Sequence, residues 1–138
     1  MPDDAYIEVL DRAECLRLLP SVPTGWLAFC HGSRPQLVVV NFLLYEGEVV
    51  ARTGYGDKLA AAVHEAVMTF GAGYTEPATR TGWSVTATGR ARLIDDLDDL
   101  ATLEVAPLRP WAPGDKEFYI GVALDEVTGR RIVRAPSP

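Results

Sequence analysis

Lysine is scarce in this chain. Of its thirteen basic residues only Lys58 and Lys116 are lysines, against nineteen acids, and the formal net charge is −6. Nucleic-acid affinity comes mainly from neutralising phosphates with Lys and Arg, so this balance argues against a nucleic-acid partner. Cysteine is equally sparse: Cys15 and Cys30 could form at most one bridge, no disulfide framework can be read from them, and both are expected to be reduced. No apolar run approaches the roughly 20 residues a membrane helix needs, which argues against a membrane-spanning role. The segment Met1 to Asp11 carries three aspartates and a glutamate where an export signal would have a basic start and an apolar stretch. A cytoplasmic protein is therefore expected.

What is present describes one domain, residues 1–138. With 138 residues, 48% hydrophobic and 23% charged, the chain can bury roughly two-thirds of its unfolded surface, enough for a core without disulfides or a structural metal. Asp11 followed by Glu14 resembles a capping box, and Cys15, Leu16, Leu18 and Leu19 give the short helix behind it an apolar face up to Pro20. Trp26 to Cys30, Gln36 to Tyr45 and Glu48 to Thr53 read as three strands joined by the turn residues around Gly32 and Glu46-Gly47. Asp57 to His64 predicts one or two helical turns capped by Asp57, and Val67 to Tyr74 another strand in which Gly71 and Gly73 mark a bulge or a close backbone approach. Trp83, Val85, Ala87, Gly89, Ala91 and Leu93 alternate with Ser84, Thr86, Thr88, Arg90 and Arg92, the pattern of a half-buried strand. Leu97, Leu100 and Leu103 have helical spacing behind a run of acids. Strand character returns over residues 117–124 and again briefly at 131–133. Six or seven strands with three small helical insertions and no βαβ alternation predict a mainly β fold, a closed or partly closed antiparallel barrel. Residues 1–10 and 135–138 are expected to be flexible ends.

Several sites are excluded by what surrounds their motifs. Gly54-Tyr55-Gly56 begins like a dinucleotide fingerprint, but Leu59 occupies the third glycine position and no parallel βαβ unit encloses it. Gly82-Trp83-Ser84-Val85-Thr86 misses the nucleophile elbow at its last position and lies in mid-strand. Cys30 and His31 are strand neighbours pointing to opposite faces, and His64 has no His or Cys at helical spacing, so no metal site is predicted. No residue is marked as a general acid or base. The segment Arg52-Thr53-Gly54-Tyr55-Gly56-Asp57-Lys58 is different: it places a guanidinium, a hydroxyl, glycine amides and an ammonium at the junction of a strand and a helix, as a phosphate site does. The competing reading is a surface loop with an Asp57 cap and an exposed lysine.

The order of these segments is similar to a known family. An opening helix precedes a Gly-Trp-Leu-Ala-Phe strand, a Val-Val-Asn-Phe strand, an Arg-Thr strand followed by a lysine, the Thr79–Ala91 stretch around Trp83-Ser84, and Leu108-Arg109-Pro110-Trp111-Ala112-Pro113-Gly114. Together they resemble the pyridoxamine 5′-phosphate oxidase-like proteins, in particular small actinobacterial-type members, over about residues 11–132. The resemblance implies a six- to seven-stranded antiparallel split β-barrel of the FMN-binding type, working as a homodimer with two FMN molecules at the subunit interface. By that resemblance Arg52, Thr53 and Lys58 would hold the FMN phosphate, and Val39, Val40 and Asn41 would face the isoalloxazine ring. Trp83 and Ser84 would approach from the partner subunit, and Trp111 would lie near the ring or substrate. Core packing is the competing role for Trp83, and a neighbouring strand the competing partner for Asn41. An FMN-dependent oxidoreductase acting on a small organic substrate or electron donor is the leading expectation. An F420-dependent reductase and a non-catalytic flavin-binding dimer are the alternatives. The chain has no histidine after Gly129, where the vitamin B6 oxidases complete their substrate-phosphate site with arginine and histidine, so that reaction is not expected.

Overall fold

The computed structural model describes residues 4–108, 111, 114 and 117–134. Nine strands form one antiparallel sheet: β1 (Ala5–Leu10), β2 (Thr24–His31), β3 (Arg34–Asn41), β4 (Leu43–Tyr45), β5 (Glu48–Thr53), β6 (Val67–Glu76), β7 (Thr81–Leu93), β8 (Phe118–Ala123) and β9 (Glu126–Arg134). Three short helices interrupt them: α1 (Arg12–Leu18), continued by a 3₁₀ turn at Leu19–Ser21, α2 (Asp57–Val63) and α3 (Leu97–Glu104).

Local chemistry sets many of these boundaries. Asp11 Oδ1 accepts the Glu14 amide at 2.8 Å and Asp96 Oδ2 the Asp99 amide at 3.0 Å, so α1 and α3 begin behind aspartate caps. Glu46 and Gly47 both have positive φ, 50° and 76°, the backbone hand that joins two twisted strands through a two-residue turn. The β7 alternation sends Val85, Ala87, Gly89 and Ala91 inward, while Ser84, Thr86 and Arg90 face out. The main core gathers beneath β2, β5, β6, β7 and β8 around Leu27, Phe70, Met68, Val85 and Ile120. A smaller one forms around Val50, Ile94, Leu103 and Tyr119, under α3.

Several expectations are corrected or narrowed by the structure. The sheet does not close into a six- to seven-stranded split barrel: its pairing path runs β3-β2-β6-β7-β8-β5-β4 and ends on β3 and β4, which do not pair with each other. The reason lies in β7. Its residues 82–88 pair with β9 and its residues 91–93 with β8, so the sheet forks along one long strand and stays open. Residues 5–10 of the expected flexible start are strand β1, paired along their whole length with residues 129–134 of β9, and residues 1–3 lie outside the described residues. The stretch 36–45 is two strands, broken where Phe42 turns into the core against Phe70 with ring centroids 4.6 Å apart. The register of β6 on β7 is continuous from Val67↔Arg90 to Glu76↔Thr81, so Gly73 marks a close approach and no bulge: a Cβ there would fall 2.5 Å from the Trp83 carbonyl oxygen. The expected C-terminal tail, 135–138, lies outside the described residues.

Candidate functional site

The segment 52–58 leaves β5 and enters α2. Arg52 and Thr53 are consecutive strand residues and so face opposite sides. Thr53 is buried among main-core neighbours, with Oγ1 donating to the Gly54 carbonyl oxygen at 3.2 Å. Arg52 turns to the smaller core and lays its guanidinium over the Tyr119 ring, 5.1 Å from the centroid. Burial pushes the Tyr119 phenol up from its ordinary value, with the Arg52 charge acting in the opposite sense. The helix cap is Gly56, not Asp57: its φ of +151° suits glycine, and a Cβ built there meets nothing within 4 Å, so the loop borders open space. Asp57, relieved of capping, has Oδ1 3.4 Å from His31 Nδ1, which ties the start of α2 to the end of β2. Lys58 follows as the second residue of the helix.

The other end of β3 carries a different arrangement. Asn41 donates from Nδ2 to the Pro23 carbonyl oxygen at 3.3 Å and accepts the Trp111 amide on Oδ1 at 2.8 Å. Its side chain thus clamps the Trp111 backbone to the end of β3, while the indole itself remains 73% exposed. Val39 is exposed on the outer face and Val40 is turned into the core, so only the backbone of Val40 is accessible to a ligand. Arg109, Pro110, Ala112 and Pro113 of this loop lie outside the described residues.

Trp83 and Ser84 stand elsewhere. They lie on β7, paired with Tyr74 and Gly73 of β6 and with Arg131 and Arg130 of β9. Strands β2 and β6 separate them from β3, roughly 14 Å of sheet at the usual strand spacing. A shallow trough of about 360 Å³ opens along Trp26, Gly71, Gly73, Tyr74, Trp83 and Ser84. Trp83 also packs on the edge of the main core, so both roles considered for it are available. One chain therefore brings Val39, Asn41 and Trp111 together at one end of β3 and Lys58 at the other, but leaves Trp83 and Ser84 apart.

Trp26 was legible only as part of an apolar run. It is 52% exposed, in register with Val39 on one side and Gly71 on the other, on the same outer face. The signal lay in the alternation of Leu27 and Phe29, both buried, with Trp26, Ala28 and Cys30. The His31–Asp57 pair had no sequence signal, because the two residues meet only when α2 folds back on β2.

The chain belongs to the pyridoxamine 5′-phosphate oxidase family, whose model matches residues 11–131. Among its relatives, the uncharacterised protein Rv0080 of Mycobacterium tuberculosis is 35% identical over 129 residues, which are 90% of this chain and 84% of that one. A FAD-binding protein of Mycobacterium smegmatis has a solved structure with a TM-score of 0.74 and 30% identity, covering 92% of this chain and 98% of the other. A candidate pyridoxamine 5′-phosphate oxidase of Corynebacterium glutamicum superposes with a TM-score of 0.78 at 28% identity, over 91% of this chain and 98% of its own.

Proposed function

We propose that the chain is an FMN-binding oxidoreductase that works as a homodimer and acts on a small organic substrate. The layout of β3 is the observation that carries this reading. Its eight residues extend over roughly 23 Å, with the α2 start tied near one end through His31 and Asp57 and the Asn41–Trp111 clamp at the other. Between them Leu37 and Val39 offer an exposed apolar face. A flat apolar ring with an anionic tail needs such a face at one end and a cation at the other, and the residues fit it.

Lys58 and the glycine amides around Gly56 bind the phosphate, while the buried Thr53, its hydroxyl bonded to the Gly54 carbonyl, shapes the loop beneath it; Val39 and the Val40 backbone meet the ring; Asn41 holds Trp111 over the open side. Bound flavin supplies hydride or electron transfer. The protein's own part is to orient the ring and limit water around it. Trp83 and Ser84 are too distant to join within one chain, so a second copy supplies them, and the outward Trp26, Leu37 and Val39 are the apolar surface that pairing would cover.

The relative from Mycobacterium smegmatis that binds FAD keeps FAD as a second reading, and a basic groove for F420 has less support in a chain of net charge −6. Release of the pigment from natively purified protein, followed by chromatography against FMN, FAD and F420, separates the three. Colourless protein that leaves added FMN fluorescence unquenched would overturn the proposal. If flavin is bound, anaerobic mixing with NADPH, NADH and reduced F420 identifies the donor by bleaching of the oxidised band. Tight binding with no donor reacting assigns a non-catalytic flavin-binding dimer instead.

A further inference from the structure

Adjacent arginines on β9 face opposite ways. Arg131 turns inward to α1, with Nη2 2.9 Å from Glu14 and Nη1 3.6 Å from Glu8. Arg130 turns outward, in register with Ser84 of β7 and Val9 of β1, and among the described residues no carboxylate pairs with it. A cleft of about 290 Å³ opens beside it, walled by Ile7 and Val9 and floored by Ser84, Thr86 and Thr128. The Thr86 and Thr128 hydroxyl oxygens are 2.9 Å apart. Whichever of the two donates, the other keeps a proton to offer, so the pair always presents one hydroxyl donor to the cleft. The Ser84 hydroxyl is exposed in the neighbouring row. Glu126 is the acid on this face of β9, four residues from Arg130 and so roughly 13 Å along the strand.

We infer that this cleft is an oxyanion site that takes the carboxylate or phosphate group of a small organic ligand. Arg130 supplies a forked, permanently charged donor, and the hydroxyls complete the shell. Ile7 and Val9 flank the cleft without covering it, so selectivity rests on the guanidinium fork and the hydroxyls beside it. In a chain of net charge −6 such a neutral-walled arginine is where a small anion can be retained. The inference shares only Ser84 with the flavin reading, on which the anion held here belongs to the substrate.

Two-dimensional NMR of the ¹⁵N-labelled chain, titrated at constant ionic strength with inorganic phosphate and separately with acetate, tests this. Saturable shifts at the amides of Ser84, Thr86, Thr128 and Arg130 with either anion are expected, and which anion saturates names the group. They should vanish in Arg130→Gln, weaken in Arg130→Lys and persist in Arg90→Gln, an equal charge change at an exposed position on β7. Linear shifts with both anions, or saturable shifts that survive Arg130→Gln, would overturn the site. Shifts confined to residues 53–58 would overturn it too while leaving the flavin reading intact, and loss of flavin binding with the Arg130 shifts present would separate the two the other way.

Discussion

Lys58 carries much of the binding argument, and its position makes it testable. As the second residue of a short helix it contributes little to the core, so Lys58→Ala should leave the fold intact and weaken FMN binding by roughly 1.5–3 kcal/mol, the scale of one charge-assisted hydrogen bond. Fluorescence titration measures it, and wild-type affinity would remove Lys58 from the phosphate site. Arg52 should behave differently, because its guanidinium covers the Tyr119 ring under α3. Arg52→Ala is expected to lower stability by about 1–2 kcal/mol in urea denaturation, from lost cation–π contact and stem packing. Glu14 is a purely structural counterpart. Hydrogen bonds from Arg17 and then Arg131 hold its carboxyl at about 2, well below the usual carboxylate range. The unfolded chain therefore binds more protons than the folded one between that value and about 4.3, so this contribution is complete above the unfolded pKa and is lost as pH falls towards 2. Denaturation of wild type and Glu14→Gln should show a stability gap at pH 7 that closes by about pH 2. A gap unchanged with pH would remove the ion pair as its cause.

At the scale of elements, close backbone approaches and one side-chain clamp do the positioning. Gly25 lies where β2 crosses Phe70: a Cβ there would fall 2.7 Å from the Gly71 carbonyl oxygen and closer still to the ring, which is fully buried. Gly25→Ala should cost about 1–3 kcal/mol, the usual penalty of overpacking, and a neutral result in urea denaturation would show that Phe70 can move aside. The clamp is Asn41. Removing it frees the Trp111 amide at a net cost near 1 kcal/mol, so amide hydrogen exchange at Trp111 should rise about fivefold in Asn41→Ala while β3 itself keeps its protection. Exchange unchanged at Trp111 would mean that the loop is held by something other than Asn41.

At the scale of the whole molecule, the proposed site needs two copies of the chain to bring Trp83 to β3. Leu37, Val39 and Trp26 are 62%, 58% and 52% exposed on one sheet face, a contiguous apolar patch of the kind that often marks an interface. Light scattering should return twice the 15.0 kDa chain mass at micromolar concentration with flavin present, and a value near 15.0 kDa would reject the dimer. Leu37→Asp, which places a charge on that face without touching Asn41 or Lys58, should shift the protein towards monomer in sedimentation.

Short-range chemistry was readable from the residues themselves. The Asp11 cap, the Glu46-Gly47 turn and the Val85-Ala87 alternation each depend on neighbours a few positions away, and each is present in the structure. The family, too, was legible, because its motifs are local strings. Tertiary structure alone decided what depends on distant partners. Tyr6 has no reason to be in a strand until residues 129–134 arrive beside it, and Asn41 becomes a clamp only because Trp111, seventy residues on, comes within 2.8 Å. Whether the sheet would close or fork was settled by how β7 divides one edge between β8 and β9, and that pairing is a competition among strands far apart in sequence. The opposite facing of Arg130 and Arg131 follows from strand geometry, but only the packing of α1 against one face determines which arginine is tied to carboxylates and which is left to the cleft.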